Sequence, residues 1–128
     1  MAQLEGAFDV VSWDEEPYDR IEGQPRFSHV RSVYEMKGSI QGEASLCYLL
    51  AYADDIAHFV GFALVTGTVN GKSGSFVMND VGTYDNDVAK GRWMIIPGLG
   101  RGALSNIRGY GHFATGPSGS SYLLEVSF

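Results

Sequence analysis

No window of the chain repeats apolar residues at the three-to-four spacing of an amphipathic helix. Short runs rich in Val, Ile, Phe, Tyr and Thr recur instead, cut at regular intervals by Gly, Asn and Asp. The runs predict strands at 4–13, 28–39, 43–53, 57–69, 73–84, 88–96, 104–115 and 120–128. Only residues 14–27 form a long connection in this scheme. They are polar, hold two prolines, and read either as a cap over one end of the fold or as an irregular crossing.

The turns between the runs fix how they pair. Asn70-Gly71 supplies two residues that tolerate positive φ, as a two-residue type I′ hairpin requires. Val69 then faces Lys72, Gly67 faces Gly74, Val65 faces Phe76 and Ala63 faces Met78. Asp54-Asp55, Asp85-Asn86-Asp87 and Thr115–Gly119 read as further turns, and Gly38 to Gly42 holds another of unfixed register. Consecutive hairpins make an antiparallel up-and-down meander. Left open, it would expose two raw edges, and closing eight strands into a barrel removes both. An eight-stranded barrel encloses packed side chains or one small ligand. Leu46 to Tyr52 and Phe59 to Val65 are apolar on both faces, although a lone barrel needs only one. The surplus face predicts a homo-oligomer, a trimer or a dimer.

A chain of 128 residues is a single domain, 1–128, with a substantial core, and 45% hydrophobic against 19% charged residues excludes a disordered chain. Seventeen glycines with four prolines fit tight turns and strand kinks. The net charge of −6, with the nine basic residues scattered, argues against nucleic acid and against an anionic membrane surface. Cys47 is the single cysteine, so no intrachain disulfide forms. The first residues, Met1-Ala2-Gln3-Leu4-Glu5, lack the character of a signal peptide, and no stretch is long and apolar enough for a membrane helix. The expected compartment is the cytoplasm.

Candidate chemistry is sparse. His29, His58 and His112 lie far apart with no ligand spacing, so neither a metal site nor a cofactor is expected. No Gly-x-Ser-x-Gly elbow is present. Glu15-Glu16 and Asp54-Asp55 fall in loops and read as solubilising charges, and Trp13 and Trp93 read as core or rim packing. The glycines at 98, 100 and 102 precede a strand rather than a helix and read as a turn, not a phosphate cradle. Arg108, Tyr110 and His112, two apart on a strand, share one face, although which face points inward stays open. Facing inward, a fixed cation, a phenol and an imidazole would suit a small organic ligand that carries an anionic or carbonyl group. A buried Arg needs a carboxylate partner, and Glu43 is the preferred one among Glu35, Glu43, Asp80 and Glu125.

Ser12-Trp13-Asp14-Glu15-Glu16-Pro17-Tyr18-Asp19, Gly38-Ser39-Ile40-Gln41-Gly42-Glu43, Gly71 to Val77, and Pro97-Gly98-Leu99-Gly100-Arg101-Gly102 together resemble a bacterial family, domain-of-unknown-function family 3224. The resemblance runs in order over nearly the whole chain. It implies an eight-stranded barrel of the allene-oxide-cyclase-like type and brings no established activity. The family pattern commonly has Glu and Arg at positions 63 and 64 and often His at 80, where this chain has Ala63, Leu64 and Asp80. A family site built on those positions would be lost or altered here. Gly98 to Thr115 also resembles a turn and strand of dirigent proteins, in which an Arg-Gly-Tyr run lines the pocket. Here that run is Arg108-Gly109-Tyr110.

Three functions follow as expectations. The barrel binds a small molecule in its interior, at Arg108, Tyr110, His112 and Glu43. Alternatively it is an isomerase or cyclase on the same cavity, or a filled barrel that acts only through its surface and its oligomeric contacts.

Overall fold

The computed structural model describes residues 1–128 and is entirely β. Its strands are β1 (Ala2–Pro17), β2 (Arg26–Gly38), β3 (Ile40–Ala53), β4 (Ile56–Val69), β5 (Lys72–Asp85), β6 (Val88–Ile95), β7 (Arg101–Gly102), β8 (Arg108–Gly116) and β9 (Gly119–Ser127). Every pairing is antiparallel. Eight strands follow chain order around a cylinder, and β9 returns to β1 and closes it. The short β7 lies outside this circuit, on β5. No helix long and apolar enough to cross a membrane is present.

The Asn70-Gly71 hairpin has the expected register, with Val69 opposite Lys72, Val65 opposite Phe76 and Ala63 opposite Met78. Asn70 and Gly71 both adopt positive φ, 49° and 82°, the backbone that two-residue turn demands. Two boundaries differ most from the sequence reading. The first strand runs on to Pro17, so Asp14 to Pro17 belong to the sheet and not to a loop. The eighth strand starts at Arg108, because residues 103–106 form a turn. There Leu104 N–H bonds the Arg101 carbonyl and Ile107 N–H bonds the Leu104 carbonyl. Residues 96–107 are thus a second long connection.

That connection closes one end of the cylinder. Leu104 and Ile107 are buried and plug the base, packed into one cluster with Leu4, Ile40, Val69 and Phe76. The opposite end is the mouth, rimmed by residues 18–25 and by the turns at 54–55, 86–87 and 117–118. The apolar residues that exceed the needs of one core lie outside. Leu49, Val60, Phe62 and Leu64 are exposed on β3 and β4, and Met94 and Tyr110 on β6 and β8.

Candidate ligand site

A bulge in β1 builds the mouth. Val10 pairs with Tyr34 and Ser12 with Val33, which leaves Val11 as an extra residue. Before the bulge the even positions, Leu4 and Phe8, are buried. Beyond it the parity reverses. Trp13, Glu15 and Pro17 stand opposite Ser32, Val30 and Ser28, which are themselves buried. One inserted residue therefore turns an indole and a carboxylate toward the inside of the barrel.

They border a cavity of about 360 Å³ that opens at the mouth. Val10, Trp13 and Glu15 contribute from β1, Tyr34 from β2, and Tyr48, Leu50 and Tyr52 from β3. Ala57, Phe59, Tyr84 and Ala89 come from β4 to β6, and Phe113 and Thr115 from β8. The aromatic rings form a continuous series. Trp13 lies 5.9 Å from Tyr48, Tyr48 lies 5.8 Å from Phe59, and Phe59 lies 6.1 Å from Phe113, all tilted.

Glu15 is the one charged side chain in this lining. Its Oε2 accepts hydrogen bonds from Ser28 Oγ and Tyr52 Oη, each 2.6 Å, and its Oε1 accepts one from Trp13 Nε1 at 3.3 Å. Partial burial alone would raise its pKa. The three hydrogen bonds and the nearby Arg26 charge outweigh that and hold it below the usual carboxylate value. Arg26 stacks on the Tyr52 ring at 4.7 Å and makes no ion pair. Deeper in the barrel, the hydroxyls of Tyr34 and Tyr48 hydrogen-bond each other at 2.7 Å. Burial pushes the Tyr34 phenol up to about 12 and raises Tyr48 further, so both stay protonated.

Asp80 lies close enough for its charge to act on both phenols. It is 1% exposed, and its Oδ1 has no hydrogen-bond partner. Burial pushes its carboxyl up to about 7. The indole N–H of Trp93, its cross-strand neighbour, pulls the other way without closing a hydrogen bond. Gly61 makes room here, since it stands between Tyr48 on β3 and Asp80 on β5. A Cβ at Gly61 would run into the Cys47 carbonyl oxygen and the Tyr48 side chain. Gly61→Ala is therefore expected to cost about 1–3 kcal/mol of stability in urea denaturation, the range of an overpacked core.

The four residues expected inside are all elsewhere. Arg108, Tyr110 and His112 do share a face, but it is the exposed outer face of β8. Ile107 and Phe113 are buried and set the parity, which puts Gly109 and Gly111 on the inward side. Inside the barrel that stretch is glycine, backed closely by Val126 and Leu124. The conspicuous side chains are therefore the outward ones. Glu43 is exposed for the same reason, because its neighbour Ala44 is buried. With Arg108 outside, no Lys or Arg lines the cavity, and nothing inside answers to an anionic ligand. His112 instead shares a shallow outer groove with His58, Lys90 and Arg92.

Strand pairing also joins two residues that the sequence left apart, since His29 Nε2 lies 3.1 Å from Cys47 Sγ on the surface. No group of three potential ligands accompanies them. Residues 14–27 read as a loop, which hides Glu15, and Trp13 reads as core or rim packing with no cavity beside it. Asp80 was noted only as a possible partner for Arg108. A lone carboxylate between Met78 and Gly82, in a strand whose alternate positions are apolar, was the available signal for its burial.

The family described as "Protein of unknown function (DUF3224)" matches residues 4–126. The chain belongs to this DUF3224 family. A similar solved structure is the crystal structure of a DUF3224 protein of unknown function from Shewanella oneidensis MR-1. It has a TM-score of 0.82 and 20% identity, and the alignment covers 100% of this chain and 98% of that one. At that identity the likeness shows the shared DUF3224 fold. No curated protein matches the chain.

Proposed function

We propose that this DUF3224 protein binds a compact, mainly apolar organic molecule in the mouth of its barrel. The observation that carries this reading is the contrast between the two halves of the cylinder. The base half is filled by its own side chains, whereas the mouth half holds a ring-lined space of about 360 Å³. That volume falls at the lower end of small-molecule sites, about 300–1,000 Å³, and suits a compact ring system better than a long lipid chain. Binding fits better than turnover. The phenols of Tyr34 and Tyr48 bond each other, and the one carboxylate at the wall, Glu15, is engaged by three donors, so the cavity offers no unengaged carboxylate or imidazole as a base.

The test is titration with the neutral fluorophore N-phenyl-1-naphthylamine. The expected result is saturable emission enhancement at one site per chain. Ala89→Phe and Ala57→Phe, each of which puts a ring into the cavity, should weaken it by roughly tenfold or more. Absence of saturable binding overturns the reading. So does unchanged affinity in both variants, provided each keeps the circular dichroism and melting temperature of a folded barrel.

A further inference from the structure

We infer that the mouth cavity selects organic cations, that is, compact hydrophobic molecules that carry a protonated or quaternary amine, over neutral and anionic molecules of the same shape. The inference rests on the cavity reading above and adds the charge of the occupant. Three features support it.

The first is the wall. Trp13, Tyr48, Phe59 and Phe113 present a connected series of rings, and the faces of such rings attract an ammonium group. The second is the charge inside. Glu15 receives hydrogen bonds only from neutral donors, and the one ion pair of the whole chain, Lys37 with Asp9, is elsewhere. Asp80, beyond the tyrosine pair, has no cationic partner either. The cavity lining thus holds a carboxylate and no Lys or Arg; the charge of Arg26 acts on Glu15 from outside the lining, and a bound ammonium would bring a cation into the cavity itself.

The third is the rim. The rim turns together with the strand ends next to them, 14–26, 53–57 and 84–90, hold nine of the fifteen Asp and Glu residues, Glu15 among them, but three of the nine Lys and Arg. The remaining chain has six of each, so the whole net charge of −6 resides at the mouth. Arg26 and Arg20 are within that count, and the rim is acidic despite them. A one-signed rim above a low-dielectric cleft concentrates ions of the opposite sign.

Three probes of similar shape decide the matter: benzyltrimethylammonium, its neutral carbon isostere neopentylbenzene, and benzenesulfonate. Each is used to displace N-phenyl-1-naphthylamine, and the two ions are also titrated directly by calorimetry. The expected order is ammonium ahead of the neutral isostere by roughly tenfold, with no displacement by the sulfonate. Glu15→Gln keeps the shape of the wall and should cost the ammonium roughly tenfold while it leaves the fluorophore within about twofold. If that variant does not fold, Trp13→Leu serves, with the ammonium losing more than the neutral isostere. Glu43→Gln, at the outer surface of the base half, should change nothing.

A fluorophore that binds while the ammonium competes no better than the neutral isostere overturns this inference and leaves the cavity reading intact. An ammonium affinity indifferent to both Glu15→Gln and Trp13→Leu does the same. If neither the fluorophore nor the ammonium binds, both readings fail.

Discussion

Asp80→Asn is expected to stabilise the protein by on the order of 4 kcal/mol at pH 8 and by little near pH 4. The folded chain holds the Asp80 proton up to about pH 7, whereas the unfolded chain releases it near the ordinary value of 3.8. Between those values the native state binds a proton that the unfolded state lacks. Stability therefore falls as pH rises through this window, by about 1.4 kcal/mol per unit at most. Below it the carboxyl is neutral in both states, and above it the full cost is present. The cause is burial, and the groups that face Asp80 do not relieve it. Tyr34 and Tyr48 are bonded to each other, Trp93 offers an indole that closes no bond, and Gly61 has no side chain. An amide is neutral at every pH and should remove the slope. Urea denaturation of both proteins at pH 4.5, 6 and 8 measures it, and titrations shared by both cancel in the difference. Curves that stay parallel across the range would show that Asp80 is not charged at the expense of folding.

The barrel was legible because its signals are local. Asn70-Gly71 admits one register, and Asp54-Asp55 and Asp85-Asn86-Asp87 mark the turns at the far ends of the same two strands. The site was not legible because it depends on departures from alternation. Val11 changes the parity of β1 with no glycine or proline to mark it, so Asp14 to Pro17 looked like a polar loop. Residues 108–112 misled in the opposite way. Their inward positions are Gly109 and Gly111, and a glycine face leaves no apolar signal, so the eye goes to Arg108, Tyr110 and His112. Leu104 and Ile107, three apart, do not share one face of a strand, and they plug the base from a turn, a role that exists only once the cylinder is closed.

The layer beneath the mouth is packed with aromatic rings, and Trp93 is its centre. It is 1% exposed, stacks on Phe113 at 4.9 Å, and lies 5.6 Å from Phe8 and 5.8 Å from Tyr122. Trp93→Ala removes the largest fully buried side chain, and β6 cannot collapse into the space because it is held by β5 and β8 on its two edges. The expected loss is about 3–5 kcal/mol in urea denaturation, with a melting temperature lower by roughly 10 °C or more. Phe113 is both the ring on which Trp93 stacks and a wall of the cavity, so the damage spreads upward. N-phenyl-1-naphthylamine should bind the variant more weakly under conditions where it is still folded. Trp93→Phe keeps a ring in the stack and should recover most of both losses. It does not restore the indole N–H beside Asp80, so the descent of stability from pH 4 to 8 should be at least as steep as in the native protein. A loss below about 1 kcal/mol for Trp93→Ala would mean that the neighbouring rings close over the gap. The cavity above would then be a soft space, not one held open by its floor.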